Sequence, residues 1–295
     1  MGEAMRWSDG FIAVDWGTTN RRAYLIDAGG ACRGRFEDAQ GALVTKDFPA
    51  AVAEIRARLD DKPLLLAGMV GSNKGWVEAP YVPCPAGLDD LAANLKWAGE
   101  REAIVPGVSY IGQGRADVMR GEEVQLLGGV AAGSVPPNAL VCHPGTHNKW
   151  ALLRHGIIQN FSTVMTGELF NLLKQHSILA DLMGGEVAVN DAFRAGARHG
   201  LSHGDLTAEL FAIRARVLLG VAARDDAAAY ASGLLIGSDV RTGLGDAAPG
   251  DVFVMGRPDL TALYSAALAE AGRSAIELDG ERSFLAGITR IAETL

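Results

Sequence analysis

Two stretches of this chain carry the same short word. Gly17 to Leu25 reads GTTNRRAYL and Gly145 to Leu153 reads GTHNKWALL, both of the form Gly-Thr-X-Asn-basic-X-Ala-X-Leu. Each follows an apolar run, FIAVD at 11–15 and ALVCH at 139–143, and each leads into a second extended pattern, so both read as tight turns between two strands. A Gly-Thr turn presents several backbone N–H groups and a hydroxyl toward one point, a concavity suited to phosphate oxygens. Two such turns can hold a polyphosphate from two sides. That makes Gly17, Thr18, Thr19 and Asn20 of the first copy, and Gly145, Thr146, His147 and Asn148 of the second, candidate nucleotide ligands. Asp15 stands directly before the first turn, where a carboxylate can hold the Mg2+ that accompanies ATP, through water because Mg2+ dehydrates reluctantly. His143 occupies the matching place in the second copy, so the pair is chemically asymmetric and the metal belongs to the first. Neither turn is a GxxxxGK[ST] loop or a GxGxxG opening a helix, which argues against a P-loop or a Rossmann site.

The elements around these turns repeat as well. The first half reads strand at 11–15, strand at 21–27, a turn at 27–30, strand at 31–37, helix at 48–59 and a buried strand in LLLAGMVG at 64–71. From Ala139 the order returns as ALVCH, the turn PGTHN, KWALLR, a turn at His155-Gly156, IIQNFSTV, and a helix from about Gly167. A helix over 122–133 precedes GSVPPN at 133–138, whose two prolines make it the natural linker, and two lobes of 1–135 and 136–295 are expected. Further helices are expected near 189–199, 205–220, 224–238, 259–271 and 283–294, with a strand at 252–256.

Composition sets the outer limits. With 295 residues, 48% hydrophobic and 21% charged, the chain belongs with folded proteins rather than disordered ones. A net charge of −8 argues against the broad basic surface that nucleic acid or an anionic membrane would need. An anionic substrate must therefore meet a local basic pocket. Cys32, Cys84 and Cys142 are odd in number and widely spaced, which fits a reducing compartment and a cytoplasmic location. The opening MGEAMRWSDG lacks an apolar core of signal-peptide length, and no apolar run is long enough to span a bilayer. A homo-oligomer is left open.

AVDWGTTNRRAYL resembles the first phosphate motif of the actin, hexokinase and Hsp70 superfamily, CHPGTHNKW its second, and VFVMGRPDLTALYSAAL at 252–268 its adenosine motif. More narrowly, AGMVGSNKGW at 67–76, VMRGEEVQLLG at 118–128, PGTHNKW at 144–150, TVMTGEL at 163–169 and SGLLIG at 232–237 are similar to the 2-dehydro-3-deoxygalactonokinase family, from Phe11 to Ala292. The resemblance implies an α/β fold of two related lobes of the actin-like, ribonuclease H-like ATPase type with a nucleotide cleft between them. It implies ATP and Mg2+, and phosphorylation of 2-dehydro-3-deoxy-D-galactonate at its 6-hydroxyl. It places Gly256 in the adenosine motif, although relatives often have paired glycines where this chain has Gly256-Arg257 followed by Pro258.

Transfer of a phosphoryl group to an alcohol needs positioning, charge neutralisation and a carboxylate near the attacking hydroxyl. Glu122 and Glu123, at the start of a helix, are the candidates for that base, since related sugar kinases place theirs at the start of a comparable helix. Both also suit a first helical turn on dipole grounds alone. Arg22, Lys74, Arg120 and Lys149 are the cations that can fix a sugar-acid carboxylate or ATP. Asn73 and Trp76 can bind hydroxyls and cover the sugar, although Trp76 reads equally as a core aromatic. Thr166 and Glu168 can line the cleft or cap the following helix. His199 and His203, four apart, have metal-ligand spacing, but flanking glycines and no acidic partner between them favour a solvated loop. Cys142, His143 and His147 lack a fourth ligand for zinc. Two rival readings are a kinase for another sugar or sugar acid and a non-catalytic nucleotide-dependent switch. A substrate panel separates them.

Overall fold

The computed structural model describes Trp7 and residues 9–112, 114–245 and 249–295. Most of MGEAMRW thus lies outside the described residues. The chain first runs β1 (Phe11–Trp16), β2 (Arg21–Ile26), β3 (Cys32–Asp38), α1 (Phe48–Arg58), β4 (Leu64–Gly68), β5 (Tyr81–Pro83) and α2 (Leu88–Ala93). It continues through β6 (Lys96–Trp97), β7 (Glu102–Ile104), β8 (Gly107–Gly112), β9 (Arg115–Met119) and α3 (Glu122–Ala131). Then follow β10 (Ala139–His143), β11 (Asn148–Arg154), β12 (Ile157–Val164), α4 (Thr166–His176), α5 (Asp191–Ser202) and α6 (Leu206–Leu218). The last elements are α7 (Ala227–Leu244), β13 (Val252–Gly256), α8 (Pro258–Glu270), β14 (Ala275–Asp279) and α9 (Gly280–Ala292).

Two compact units result. One holds the described residues up to Asn138 with Leu153–Asn160 and Gly280–Leu295; the other holds Ala139–Leu152 and Phe161–Asp279. The first unit is built on a sheet of order β3-β2-β1-β4-β7-β6, the second on β12-β11-β10-β13-β14. Counted within its own sheet, each begins third, second, first, fourth, so the repeated word marks a repeated topology. In the first unit β1 runs antiparallel to β2 and parallel to β4, which sets Asp15 opposite Arg22 on one side and Ala67 on the other. In the second, β10 runs parallel to β13 and β13 to β14.

The sequence explains these placements locally. β1 is buried at Phe11, Ile12, Ala13, Val14 and Trp16, as a strand with neighbours on both edges and cover on both faces must be. Asp47 caps α1 by accepting from the Ala50 N–H at 3.0 Å, and Pro49 sits in the first turn, where its missing donor costs nothing. Phe48, Val52 and Ile55 then face Ile12, Val14, Leu64 and Leu66 in one core. α3 crosses α9 at a glycine pair: a Cβ on Gly128 would fall 1.9 Å from the Ser283 carbonyl, and one on Gly287 2.3 Å from that of Val124. That contact fixes the helix whose first turn carries Glu122 and Glu123. A similar crossing joins α5 to α7, where a Cβ on Gly196 would meet the Tyr230 carbonyl at 2.1 Å.

Some expectations need correction. The strand read over 64–71 ends at Gly68, whose φ of 96° starts a 3-10 turn at Met69–Gly71. Gly68 is required there, since a Cβ would lie 2.7 Å from the Trp16 carbonyl. His199 is no loop residue: it lies on α5, pairs with Glu209 at 2.5 Å and stacks on His203 with 4.1 Å between rings. The partner comes from α6, outside the interval that the spacing argument inspected. Among the described residues, no helix is long and apolar enough to cross a membrane.

Candidate active site

The first Gly-Thr turn, residues 17–20, joins β1 to β2 and is held from behind by a short strap. Ala42 donates its N–H to the Gly17 carbonyl at 2.9 Å, Leu43 to that of Thr18 at 3.2 Å, and Gly41 to that of Thr19 at 2.9 Å. With three carbonyls so occupied, the amide N–H groups and the exposed Thr18, Thr19 and Asn20 side chains are what the turn can offer a ligand. The strap lies so close that a Cβ on Gly41 would sit 2.3 Å from the Thr19 carbonyl carbon. Beneath it, Trp16 donates Nε1–H to the Gln40 carbonyl at 2.8 Å, and the buried Arg21 binds Asp38 at 2.9 and 3.0 Å and Glu54 at 2.7 Å. Arg21, which sequence reasoning passed over in favour of Arg22, anchors the base of the turn.

Asp15 comes out of β1 partly buried. Burial pushes its carboxyl up to about 6; Arg22 pulls it down, and the charges of Glu122 and Glu37 push it further up. Arg22 stands 3.6 Å from Asp15 and 3.2 Å from Glu37, so this predicted substrate cation is already engaged with carboxylates. The two candidate bases differ. Glu122 is half-buried and its carboxylate accepts the Arg120 N–H at 3.2 Å. Glu123 is fully buried, accepts the Gly121 N–H at 2.7 and 2.9 Å, and burial pushes it up to about 8. Burial thus favours the protonated form of Glu123, which weakens it as a proton acceptor.

Arg120 is buried. Its Nη2 donates to the Ala79 carbonyl at 2.8 Å and its guanidinium stacks 4.3 Å over the Tyr81 ring, but Nε and Nη1 have no hydrogen-bond partner. Buried guanidinium donors left unpaired are costly, and an anion would satisfy them. Of the other predicted substrate residues in this unit, Asn73 and Lys74 are exposed on the segment after the 3-10 turn. Trp76 stacks on Phe48 at 6.1 Å between rings, against the core, as its structural reading required.

The second unit contains a cavity of about 580 Å³. Its polar lining includes Gly145, Thr146 and Thr166, its apolar lining Phe170, Leu235, Ile236 and Leu260, and Arg257 and Asp259 contribute charge. The second turn does not copy the first. Asn20 is exposed, whereas its counterpart Asn148 is buried on β11 with Nδ2 on Asp239. Lys149 is also buried and its Nζ donates to the His147 carbonyl at 2.8 Å, bracing the turn from within. The start of α4 lies against the turn: Glu168 donates its N–H to the Thr146 carbonyl at 3.0 Å, and a Cβ on Gly167 would meet the Gly145 oxygen at 2.6 Å. A helix N-terminus there favours negative charge. Thr166 is the first helical residue and not the cap, which is Met165, and the Glu168 carboxylate is taken by His147. A Cβ on Gly256 would lie 3.4 Å from the Pro144 carbonyl oxygen, while Arg257 after it lines the cavity and pairs with Asp259 at 2.7 Å.

Among the described residues, no three His, Cys, Asp or Glu side chains gather as a metal cage. The donor set fits an ion that arrives with phosphates: Asp15 is a single, partly desolvated carboxylate beside a phosphate-type turn, and Mg2+ needs only one or two carboxylates besides phosphates and water.

Two sheets of shared strand order, each with a Gly-Thr turn after its first strand, define an actin-like ATPase fold. An activator of 2-hydroxyisocaproyl-CoA dehydratase from Clostridium difficile, solved with bound ADPNP, shares that fold with a TM-score of 0.52 at 11% identity, covering 97% of this chain and 95% of its own. The chain belongs to the 2-keto-3-deoxy-galactonokinase family, whose model matches residues 15–291. It is 37% identical over 290 residues to 2-dehydro-3-deoxygalactonokinase of Escherichia coli (strain K12), covering 97% of this chain and 98% of that one. The crystal structure of a Sinorhizobium meliloti protein assigned the same kinase name superposes with a TM-score of 0.90 at 34% identity, covering 96% of this chain and 98% of that one.

Proposed function

We propose that this protein transfers the γ-phosphoryl group of ATP to the 6-hydroxyl of 2-dehydro-3-deoxy-D-galactonate, in the cytoplasm. The carrying observation is a phosphate-type turn preceded by Asp15 on β1, with Glu122 at the start of α3 close enough that its charge adds to the cost of ionising Asp15. The second unit's cavity, with Thr146 and the α4 N-terminus, supports nucleotide binding, and its apolar lining suits a base.

In this reading the carboxylate of the sugar acid pairs with Arg120, whose Nε and Nη1 want an acceptor. Asn73 and Lys74 approach the substrate from the segment after β4. Glu122 accepts the proton of the 6-hydroxyl as its oxygen bonds to the γ-phosphorus; the bond from phosphorus to the β,γ-bridging oxygen breaks and ADP leaves with that electron pair. Asp15 would hold Mg2+, and the ion would supply neutralisation of the charge on the nucleotide phosphates. Arg22 keeps Asp15 oriented while the nucleotide is absent.

A coupled ADP-release assay with MgATP tests this reading against 2-dehydro-3-deoxy-D-galactonate, its gluconate epimer and simple hexoses. Turnover should appear with the first compound and fall by an order of magnitude or more with the epimer, because a site built to bond a hydroxyl leaves its polar groups unpaired with the wrong configuration. Turnover on a hexose alone would overturn the substrate, and ATP binding with no acceptor-dependent ADP would overturn the reaction.

A further inference from the structure

Asp239 sits on α7, outside every motif singled out in the sequence, and is 1% exposed. Four side chains converge on it. Asn148 Nδ2 donates at 3.0 and 2.9 Å to its two oxygens, Trp150 Nε1 at 2.7 Å to Oδ1, and the hydroxyls of Thr166 and Tyr264 both at 2.5 Å to Oδ2. These donors come from β11, α4 and α8, three elements that do not otherwise follow one another in the chain. Asn148 is two residues beyond Thr146 of the phosphate-type turn, and Thr166 and Tyr264 themselves line the 580 Å³ cavity.

A carboxylate is a poor choice for filling this space on energy alone, since apolar residues of similar volume pack a core at least as stably. What a carboxylate supplies is direction, because each donor must point at it to be satisfied. The surroundings reinforce that direction. The Asn148 amide cannot turn over freely, as its Oδ1 accepts from Cys142 Sγ at 3.5 Å, and the Trp150 ring is seated so closely on α7 that a Cβ on Gly243 would fall 1.9 Å from it.

We propose that Asp239 is a positioning residue for nucleotide binding, tying the second Gly-Thr turn, the start of α4 and the α8 wall into one preformed half-site. The proposal rests on the reading of this cavity as the nucleotide site. Asp239 touches no ligand itself; it acts through Asn148, Thr166 and Tyr264.

The test compares Asp239→Ala, Asp239→Asn and Leu260→Trp in steady-state kinetics and in binding of a fluorescent ATP analogue. Asp239→Ala leaves the Asn148 and Trp150 N–H groups without their acceptor, and the KM for MgATP should rise about tenfold or more, with the analogue's Kd rising in step and the KM for the sugar acid staying within about threefold. Asp239→Asn should recover most of this, since its Oδ1 still accepts from Asn148 and Trp150 while its amide donates to two hydroxyls that can rotate. Leu260→Trp fills the cavity and should abolish analogue binding. Should the alanine variant not fold, Tyr264→Phe removes a single bond and should raise the ATP KM about threefold. A fall in melting temperature with both KM values unchanged, or changed together, would overturn the role of Asp239. Analogue binding that survives Leu260→Trp would overturn the nucleotide reading of the cavity and the proposal with it.

Discussion

Replacing Glu123 by Gln should make the protein more stable, and the gain should grow with pH. Glu123 is fully buried, and its carboxyl is pushed from 4.5 up to about 8, first by burial and then by the charge of Glu122, against the pull of the Gly121 N–H. Its folded pKa is thus raised above its unfolded value. Between pH 4.5 and about 8 the native state keeps a proton that the unfolded chain releases, so the wild type loses stability as pH rises through that window. The slope of a single such group is about 1.4 kcal/mol per pH unit, giving a total on the order of 3–5 kcal/mol between pH 5 and pH 8. Gln does not titrate and its Oε1 can still accept from Gly121 N–H, so the difference between variant and wild type isolates this group. Asp15, pushed up to about 6, destabilises in the same direction over its own window but is present in both proteins and cancels. Melting temperatures of the two proteins, measured from pH 5 to pH 8.5 at constant ionic strength, should diverge in favour of Glu123→Gln up to about pH 8 and run parallel above it. Curves parallel throughout would refute the reasoning, and a widening gap in favour of the wild type would reverse it.

Three further outcomes follow from the geometry. Glu122→Gln should lower kcat by about 10²–10⁴ with a small effect on the nucleotide KM, the range for loss of a general base, while Glu123→Gln retains activity; equal losses in both would contradict the assignment. Gly41→Ala cannot keep the strap in place with a Cβ 2.3 Å from the Thr19 backbone, and the displaced turn should reduce kcat/KM for MgATP about 100-fold, read in the same assay. Arg120→Met removes two unpaired buried donors, so stability should hold or rise while the KM for the sugar acid increases about 10- to 100-fold; an unchanged KM would move the substrate carboxylate elsewhere.

The fold was legible wherever local pattern and tertiary placement agree. The two Gly-Thr words, the apolar runs before them and the capped α1 are short-range signals, and the strands and helices they announced are present. Between 77 and 104, β5, β6 and β7 were silent because they are two or three residues long, too short for any periodicity to register. β14 escaped notice for a different reason, since AIELD is largely exposed and has no buried face to pattern. At the candidate site the turns, Asp15 and the Glu122–Glu123 pair could be named from sequence, but not that one glutamate is fully buried and the other half-buried. Nor could the fates of Asn20 and Asn148 be separated, because the same letter in the same word is exposed in one copy and bound to a distant carboxylate in the other. Asp239 carried no signal at all: its partners lie 25 to 91 residues away, and only the packing of α7 brings them together.

The most direct test of the central claim is the phosphorus NMR spectrum of the product formed from MgATP and 2-dehydro-3-deoxy-D-galactonate. The account predicts ADP and, in equal amount, a phosphate monoester whose resonance is split by the two methylene protons of carbon 6. Release of inorganic phosphate in place of a monoester, or a monoester coupled to a single proton, would contradict it.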